Sequence, residues 1–186
     1  RASSAGSASV GGTLSTSAAH VTKATVSMKS AQTLSVHQFH DSVTSADAIS
    51  QQLFFIQDAL KRIGIGGKIF ARHIKGSLED KVVAFKKENL WDCDVLLIHY
   101  SMGLEKPDEV FGLEIPKALV YHNITPSEFF LHDSFLKKLA TAGRNQLKKH
   151  AKDFMASFCD SEFNRDELEK LGLASPRLLA LFELDL

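Results

Sequence analysis

The sequence predicts an α/β domain of three layers (α/β/α), in which helices cover both faces of a mostly parallel sheet of about six strands. Apolar segments of strand length alternate along the chain with amphipathic segments of helix length, and this β-α-β order is typical of parallel sheets. One strand segment, DVLLIHY (94–100), is a continuous apolar run, which is typical of a strand buried on both faces.

The predicted elements follow one another from Thr33 onward. The strand segments are 33–39, 68–74, 94–100, 118–122, 154–159 and 177–184. Asp47 begins the first helix, whose apolar side chains recur every three or four residues and which the glycines from Gly64 end. A Ser77–Asp80 capping pattern predicts a helix over 78–88, and Thr125-Pro126 is a second helix start. Further helices are expected over 133–151 and 161–172.

Composition excludes several classes of protein. The chain has 186 residues, 22 basic and 22 acidic, so its zero net charge disfavours wholesale binding to nucleic acid. No apolar run is long enough to span a membrane, and two cysteines without metal spacing favour a reducing, cytoplasmic compartment. Residues 1–32 begin Ser-, Ala- and Gly-rich, and we interpret them as a flexible tail or linker. A start at Arg1 indicates a fragment or a processed chain.

Five histidines fall at or just beyond the predicted strand ends. They are His37, His40, His73, His99 and His122. Ligands of parallel α/β sheets bind beyond the carboxyl ends of the strands, so this edge is the predicted site. The alternative is that these are ordinary loop side chains bonded to the backbone. We favour function for His122, leave His99 open and favour the alternative for the other three.

Several familiar motifs are missing from the sequence. No His-x-His or Glu-x-x-His pair supports a metal site, so none is expected. Neither a Gly-x-Gly-x-x-Gly turn nor a Walker loop follows the first strand, which disfavours a standard dinucleotide site. A Gly-x-Ser-x-Gly elbow is also absent, which disfavours a serine hydrolase.

The helix over 135–152 carries cations and no acidic residue. The predicted contacts to an anionic membrane or acceptor are Lys137, Lys138, Arg144, Lys148 and Lys149. The alternative is a helix face that is simply solvated.

Four segments together resemble a known family. They are VHQFHDSVTSADAIS (36–50), HYSMG (99–103), YHNITPSEFF (121–130) and DSEFNRDELEKLG (160–172). Their order and spacing resemble the N-terminal half of family-four, GT-B-type glycosyltransferases, most closely a bacterial branch that acts in surface-polysaccharide assembly. The resemblance covers about residues 34 to 186.

The resemblance implies a Rossmann-like, acceptor-side domain, one half of a GT-B fold. A second Rossmann-like domain, absent here, would bind the nucleotide sugar, so the chain alone is expected to be inactive. The reaction is sugar transfer from a nucleotide-sugar donor to a glycan or lipid-linked acceptor, without a metal or other cofactor and without nucleic acid. The expected location is the cytoplasm, with the inner membrane face as a peripheral contact.

The resemblance also implies the site residues. His122 matches the histidine that contacts the donor sugar near the reacting carbon. The loop 41–47 matches the one that approaches the donor diphosphate and the acceptor, although Ser45 and Ala46 replace the usual tyrosine and glycine. The expected substrate-binding residues are Asp47, His99, Ser101, Gly103, Asn123, Ser161 and Asn164. Asp47, Ser101 and Asn164 have a second interpretation, as caps of helices or turns.

Two other functions stay open at this point. The chain could be a noncatalytic α/β domain that binds a ligand or a partner, or a small α/β hydrolase. A further domain of about 180 residues downstream in the reading frame would favour the transferase.

Overall fold

A parallel sheet of seven strands organises residues 34–179, the part of the chain that the computed structural model describes. The strands are β1 (Val36–Thr44), β2 (Ile69–Lys75), β3 (Val82–Ala84), β4 (Val95–Tyr100), β5 (Lys117–Tyr121), β6 (Phe154–Cys159) and β7 (Arg177–Leu178). Their order is β3-β2-β1-β4-β5-β6-β7, and neighbouring strands all pair in parallel. The predicted tail, 1–32, and the end of the predicted last strand lie outside the described residues.

Four α-helices connect the strands. They are α1 (Ala48–Arg62), α2 (Asp108–Phe111), α3 (Ser134–His150) and α4 (Glu162–Lys170). The chain moves from β1 to β2 in one direction and from β5 to β7 in the other. Because such crossovers are right-handed, α1 lies on one face of the sheet and α3 and α4 lie on the other. The expected α/β, Rossmann-like class is therefore confirmed.

Two apolar clusters bury the two faces of the sheet. Leu53 of α1 packs with Val43, Ile69 and their neighbours on one face. Leu147 of α3 and Leu168 of α4 belong to the larger cluster on the other face. Strands β4 and β5 supply the centre of this core, and for β4 the continuous apolar run 94–100 predicts this position.

The first predicted helix is confirmed with its cap. The Asp47 carboxylate accepts hydrogen bonds from the Ser50 amide at 2.8 Å and from the Ser50 hydroxyl at 2.6 Å. These contacts satisfy groups that the first helical turn leaves unpaired. Gly64, with φ of 81°, follows the helix in the left-handed region that favours glycine.

Two helix predictions are wrong. In place of a helix over 78–88, the chain forms strand β3 and a 3₁₀ turn at Lys87–Leu90, because Val82 pairs with Ile69 at the open edge of β2. No α-helix begins at Thr125 either. Pro126, with ψ of 140°, is extended and precedes a 3₁₀ turn, Ser127–Phe129, while α3 starts after Asp133, which caps Leu136.

A contact between two glycines seats α3 against the end of β4. A Cβ on Gly103 would collide with the carbonyl oxygen of Leu139 and lie 2.9 Å from the amide nitrogen of Gly143. The Gln146 side chain holds the same segment, accepting from the Leu104 amide and donating to the Leu104 carbonyl, both at 2.8 Å. The helix can approach this closely only because both glycines lack a side chain.

We expect Gly103→Ala to destabilise the chain by about 1–3 kcal/mol, since backbone atoms of α3 must move to admit the methyl group. Gly66→Ala is the matched control, because a Cβ there meets no atom within 4 Å. Its effect should stay within about 0.5 kcal/mol. Urea unfolding of both variants measures the difference, and equal midpoints would contradict the packing role of Gly103.

Candidate functional site

A cavity of about 430 Å³ opens at the carboxyl ends of β1, β2 and β4. Its polar wall consists of His40, Asp41, Ser42, His73, Lys75, His99, Ser101 and Glu105. Its apolar wall consists of Met102, Leu104, Phe135, Leu136 and Leu139. Strands β1 and β4 are the neighbours at which the strand order reverses, and α/β proteins bind ligands at this point.

A larger groove, about 790 Å³, runs beside α1. Its lining carries no histidine and mixes cations such as Lys61 and Lys81 with the acids Asp58 and Asp80. The smaller cavity is the candidate site, because it lies where the sheet brings polar side chains together.

A chain of hydrogen bonds joins three neighbouring strands at the cavity. The Gln38 amide donates to the Leu53 carbonyl at 2.9 Å, and its oxygen lies 2.9 Å from His99 Nε2. His99 Nδ1 lies 3.0 Å from His122 Nε2. A third ring, His40, contacts the backbone carbonyl of His99 through Nδ1 at 3.0 Å. The sheet register therefore places side chains from β1, β4 and the residue after β5 in one network.

All three rings are uncharged near neutral pH. Burial lowers the pKa of His99 well below its usual value, and the neighbouring His122 and His40 lower it further. Burial, followed by the charge of His40, lowers the pKa of His122 to about 4, and Asp47 opposes the shift only in part. Burial also lowers the pKa of His40, against the opposing hydrogen bond to His99.

A partly buried ion pair fixes the turn after β5. Arg144 Nε lies 2.6 Å from Glu167, and the same guanidinium donates to the Ile124 carbonyl at 2.8 Å. The Tyr121 hydroxyl donates to Glu167 at 2.6 Å and accepts from the Ile124 amide at 3.2 Å. Between these contacts Asn123 adopts φ of 69°, which is uncommon outside glycine. The turn that carries His122 is therefore held from both sides.

The structure brings some of the predicted substrate-binding residues together. His99, Ser101 and Gly103 line the cavity, and Asp47 acts electrostatically on His40 and His122 from the start of α1. His122 and Asn123 follow β5, next to the cavity but not in its lining.

Ser161 and Asn164 belong to the start of α4. The Ser161 hydroxyl accepts from the Asn164 amide at 3.2 Å and caps this helix. The Asn164 side chain is buried and donates to Asp160, while its oxygen has no partner within the described residues. Ser161 is therefore the cap of α4, whereas Asn164, for which the cap interpretation was offered, bonds through its side chain to Asp160 instead.

His37 does not belong to the site, contrary to the prediction of a common rim. It is the second residue of β1, so it lies at the amino end of the sheet, where its Nε2 is 3.0 Å from Asp92. The first predicted strand, 33–39, ends too early. Strand β1 continues to Thr44, so the carboxyl edge of the sheet lies beyond His40.

The basic helix is less uniform than the sequence indicates. Lys137, Lys138 and Lys148 are exposed, but Arg144 is the partly buried ion-pair partner of Glu167, and Lys149 lies 3.4 Å from Asp108. Two of the guanidinium nitrogens of Arg144 are therefore engaged within the protein. Exposed apolar side chains lie at and just before the start of α3, which carries Lys137 and Lys138; they are Phe129, Leu131 and Phe135.

Sequence reasoning missed Gln38 and Glu167. Gln38 had one available signal: VHQFH places three polar side chains at the start of β1, where all five residues are buried. Buried polar side chains need partners, so such a strand predicts a hydrogen-bond network. Glu167 gave no signal, because its partners lie 23 and 46 residues away.

Metal binding and membrane spanning find no support in residues 34–179. No three His, Cys, Asp or Glu side chains of this range are placed to hold a metal ion. No helix in the same range is both long and apolar enough to cross a membrane.

Solved structures of an alpha-glucosyltransferase are similar to this chain in fold. One, in complex with UDP and a 13-mer DNA containing a HMU base, has a TM-score of 0.55 at 11% identity and covers 79% of this chain and 42% of that chain. A second, with UDP-glucose and DNA containing an abasic site, has a TM-score of 0.52 at 10% identity and covers 78% and 42%. No known protein family and no curated protein matches the sequence.

The likeness is one of fold. At 10–11% identity, it shows that the chain shares a Rossmann-like α/β architecture with part of these structures. The chain spans about 42% of the length of these structures.

The neutral histidines predict a loss of stability in mild acid. Between pH 6.5 and about 4 the unfolded chain binds a proton at His122 and the folded chain does not, so the free energy of unfolding falls as pH falls through this window. The slope is about 1.4 kcal/mol per pH unit for each such histidine.

Urea midpoints between about pH 7 and pH 5 measure this slope. His122→Asn should reduce it, whereas the control His132→Asn, at an exposed position, should keep it. Equal slopes in the two variants would contradict a buried, neutral His122.

Proposed function

We propose that this chain is the acceptor-side domain of a glycosyltransferase that moves a sugar from a nucleotide-sugar donor to a glycan or lipid-linked acceptor, in surface-polysaccharide synthesis. The observation that carries the proposal is the cluster of neutral histidines at the carboxyl edge of a Rossmann-like sheet. The similar folds with UDP or UDP-glucose support the donor class. The motifs around His99, His122 and Ser161 support the family-four type.

The proposed reaction exchanges one bond at the anomeric carbon. The acceptor hydroxyl oxygen forms a bond to that carbon, while the bond from the carbon to the diphosphate oxygen breaks. The electron pair leaves with the diphosphate, which also takes up the hydroxyl proton. Negative charge develops on the leaving group and positive charge on the sugar ring, so catalysis depends on placed dipoles and cations.

His122 fits a role in hydrogen bonding to the sugar. With a pKa of about 4 it is a weak base, so it is poorly suited to removing a proton from a hydroxyl at neutral pH. A neutral ring nitrogen accepts a hydrogen bond from a sugar hydroxyl and stays uncharged. The cations that stabilise the diphosphate would then come from the second domain, since none of the three rings carries a charge.

The wall of the cavity favours an acceptor with both hydroxyl and apolar groups. It carries two acidic residues, Asp41 and Glu105, and one cation, Lys75, whereas a nucleic-acid backbone requires an excess of cations. Phe135 extends from the apolar wall to the surface, where Phe129 and Leu131 are also exposed. A lipid-linked acceptor matches this combination better than DNA does.

His122→Ala should lower turnover by about tenfold to a thousandfold, the scale of a lost hydrogen bond in the transition state. The assay uses protein from the complete reading frame, UDP-glucose and lipid-linked or glycan acceptors, with duplex DNA as a separate acceptor. His132→Ala, at an exposed position, is the control and should retain full turnover. Sugar transfer to DNA alone would overturn the proposed acceptor.

The noncatalytic alternative has its own outcome. If this chain binds a glycan but the complete protein transfers no sugar, the proposal of a noncatalytic ligand-binding domain replaces the proposal of a transferase. Transfer by the 186-residue chain itself would contradict the proposed dependence on a second domain.

The start of α3 should bind anionic vesicles. Lys137 and Lys138 each add about 1 kcal/mol near an anionic surface, and this contribution falls as salt rises. Leu131→Ser removes an apolar side chain that is 78% exposed, and we expect binding to fall about tenfold. Met155→Ser is the matched control: this side chain is 67% exposed but lies near the amino end of β6. Binding is measured by vesicle flotation. Equal binding by the two variants, or equal binding to neutral and anionic vesicles, would contradict the assignment of this surface to an anionic membrane.

A further inference from the structure

The direction of the hydrogen-bond chain follows from its first member. The Leu53 carbonyl can only accept, so the atom of Gln38 that faces it must be the amide nitrogen. The Gln38 oxygen therefore points at His99 Nε2, at 2.9 Å. An amide oxygen can only accept, so His99 Nε2 carries a proton.

The same logic passes through the two rings. A neutral His99 with a proton on Nε2 has none on Nδ1, which then accepts. The proton of the 3.0 Å contact must belong to His122 Nε2. The planes of the two rings make an angle of 12°, and the ring centroids are 5.2 Å apart. This distance equals the 3.0 Å between the two nitrogens plus about two ring radii, so the rings lie end to end. This is the geometry of an in-plane N–H···N bond between coplanar rings.

The chain ends at an unprotonated nitrogen. A neutral His122 with a proton on Nε2 leaves Nδ1 as an acceptor, and no residue of 34–179 bonds to it. His40 has the opposite tautomer, because its Nδ1 donates to the His99 carbonyl and its Nε2 is left bare. Neither bare nitrogen is among the buried, unpaired side-chain atoms of the described residues.

We propose that Gln38 and His99 are positioning residues that hold His122 in the Nε2–H tautomer, with Nδ1 presented as the acceptor for a hydroxyl group of the substrate. The hydroxyl part rests on the function proposed above, and the tautomer part does not. Reversing the His122 proton would set two lone pairs against each other across the 3.0 Å contact, so the whole chain would have to reverse with it.

The charged groups around the rings do not oppose this arrangement. The Asp47 carboxylate acts on both His122 and His40, and the Asp41 carboxylate acts on His40. Asp47 is held by Ser50, from which it accepts two hydrogen bonds, so its carboxylate is already engaged. Gln38 is therefore the group that decides the direction of the chain.

The test is a nitrogen NMR measurement on the ¹⁵N-labelled 186-residue chain at neutral pH, without substrate. We expect a pyrrole-type shift for His122 Nε2, a pyridine-type shift for its Nδ1, and a scalar coupling across the hydrogen bond from His122 Nε2 to His99 Nδ1. A proton on His122 Nδ1, or on His99 Nδ1, in the wild-type chain would overturn the proposal before any variant is made.

Gln38→Met removes the group that sets the direction. Both rings should then populate both tautomers, so the His122 Nδ1 signal moves towards the pyrrole range and the coupling weakens. Gln52→Met is the matched control, because Gln52 is equally buried but its oxygen has no partner in the described part of the chain. A Gln38→Met spectrum identical to that of Gln52→Met would remove Gln38 as a positioning residue.

Addition of UDP-glucose to the complete protein tests the hydroxyl. We expect the His122 Nδ1 signal to shift with UDP-glucose and to stay in place with UDP, and turnover to fall about tenfold in Gln38→Met with Gln52→Met within twofold. A bound UDP-glucose that leaves Nδ1 unmoved would overturn the hydroxyl assignment. A protein that binds neither compound counts against the donor class of the proposed function, whereas the substrate-free tautomer result stands by itself.

Discussion

The arrangement at the carboxyl edge depends on one constraint: imidazole rings that the sheet buries must find hydrogen-bond partners without becoming charged. His99 is almost fully buried and has no water to bond to, so both of its nitrogens are paired, with Gln38 and with His122. Each partner comes from a different part of the sheet. The network therefore ties β1, β4 and the end of β5 together at the point where the strand order reverses.

The contacts that support this edge of the sheet also join segments that are distant in the sequence. Gly103 and Gly143 let α3 reach the segment after β4, and Gln146 bonds to it. On the other side, Arg144 and Glu167 tie the turn after β5 to α3 and α4. Helix α3 thus holds both segments that carry the site, and the cations of its sequence are divided between a partly buried ion pair and the surface. A charge count along the helix could not separate these two roles, because they differ only in the partner that the fold supplies.

The sequence was sufficient for the elements that periodicity or a cap specifies. Strands β4 and β6, the Asp47 cap and the length of α3 all follow from local patterns, and His99 and His122 were correctly expected near strand ends. The predictions that were wrong concern segments whose structure depends on pairing with strands distant in the sequence. Val82 joined the open edge of β2 instead of a helix, and β1 continued through His40 to Thr44 because β2 pairs with it to the end. The role of Gln38 needs the sheet register, which no local pattern contains.

The neutral histidines limit what this edge can recognise in the proposed transferase. Uncharged ring nitrogens that accept hydrogen bonds recognise hydroxyl groups, which donate, and do not stabilise a diphosphate, which needs donors or cations. If Gln38 fixes the proton on His122 Nε2, the bare Nδ1 can report on the sugar alone. In the proposed reaction, stabilisation of the leaving diphosphate therefore falls to groups other than these three rings. The burial that keeps the rings uncharged also limits them to recognising the hydroxyl groups of the sugar.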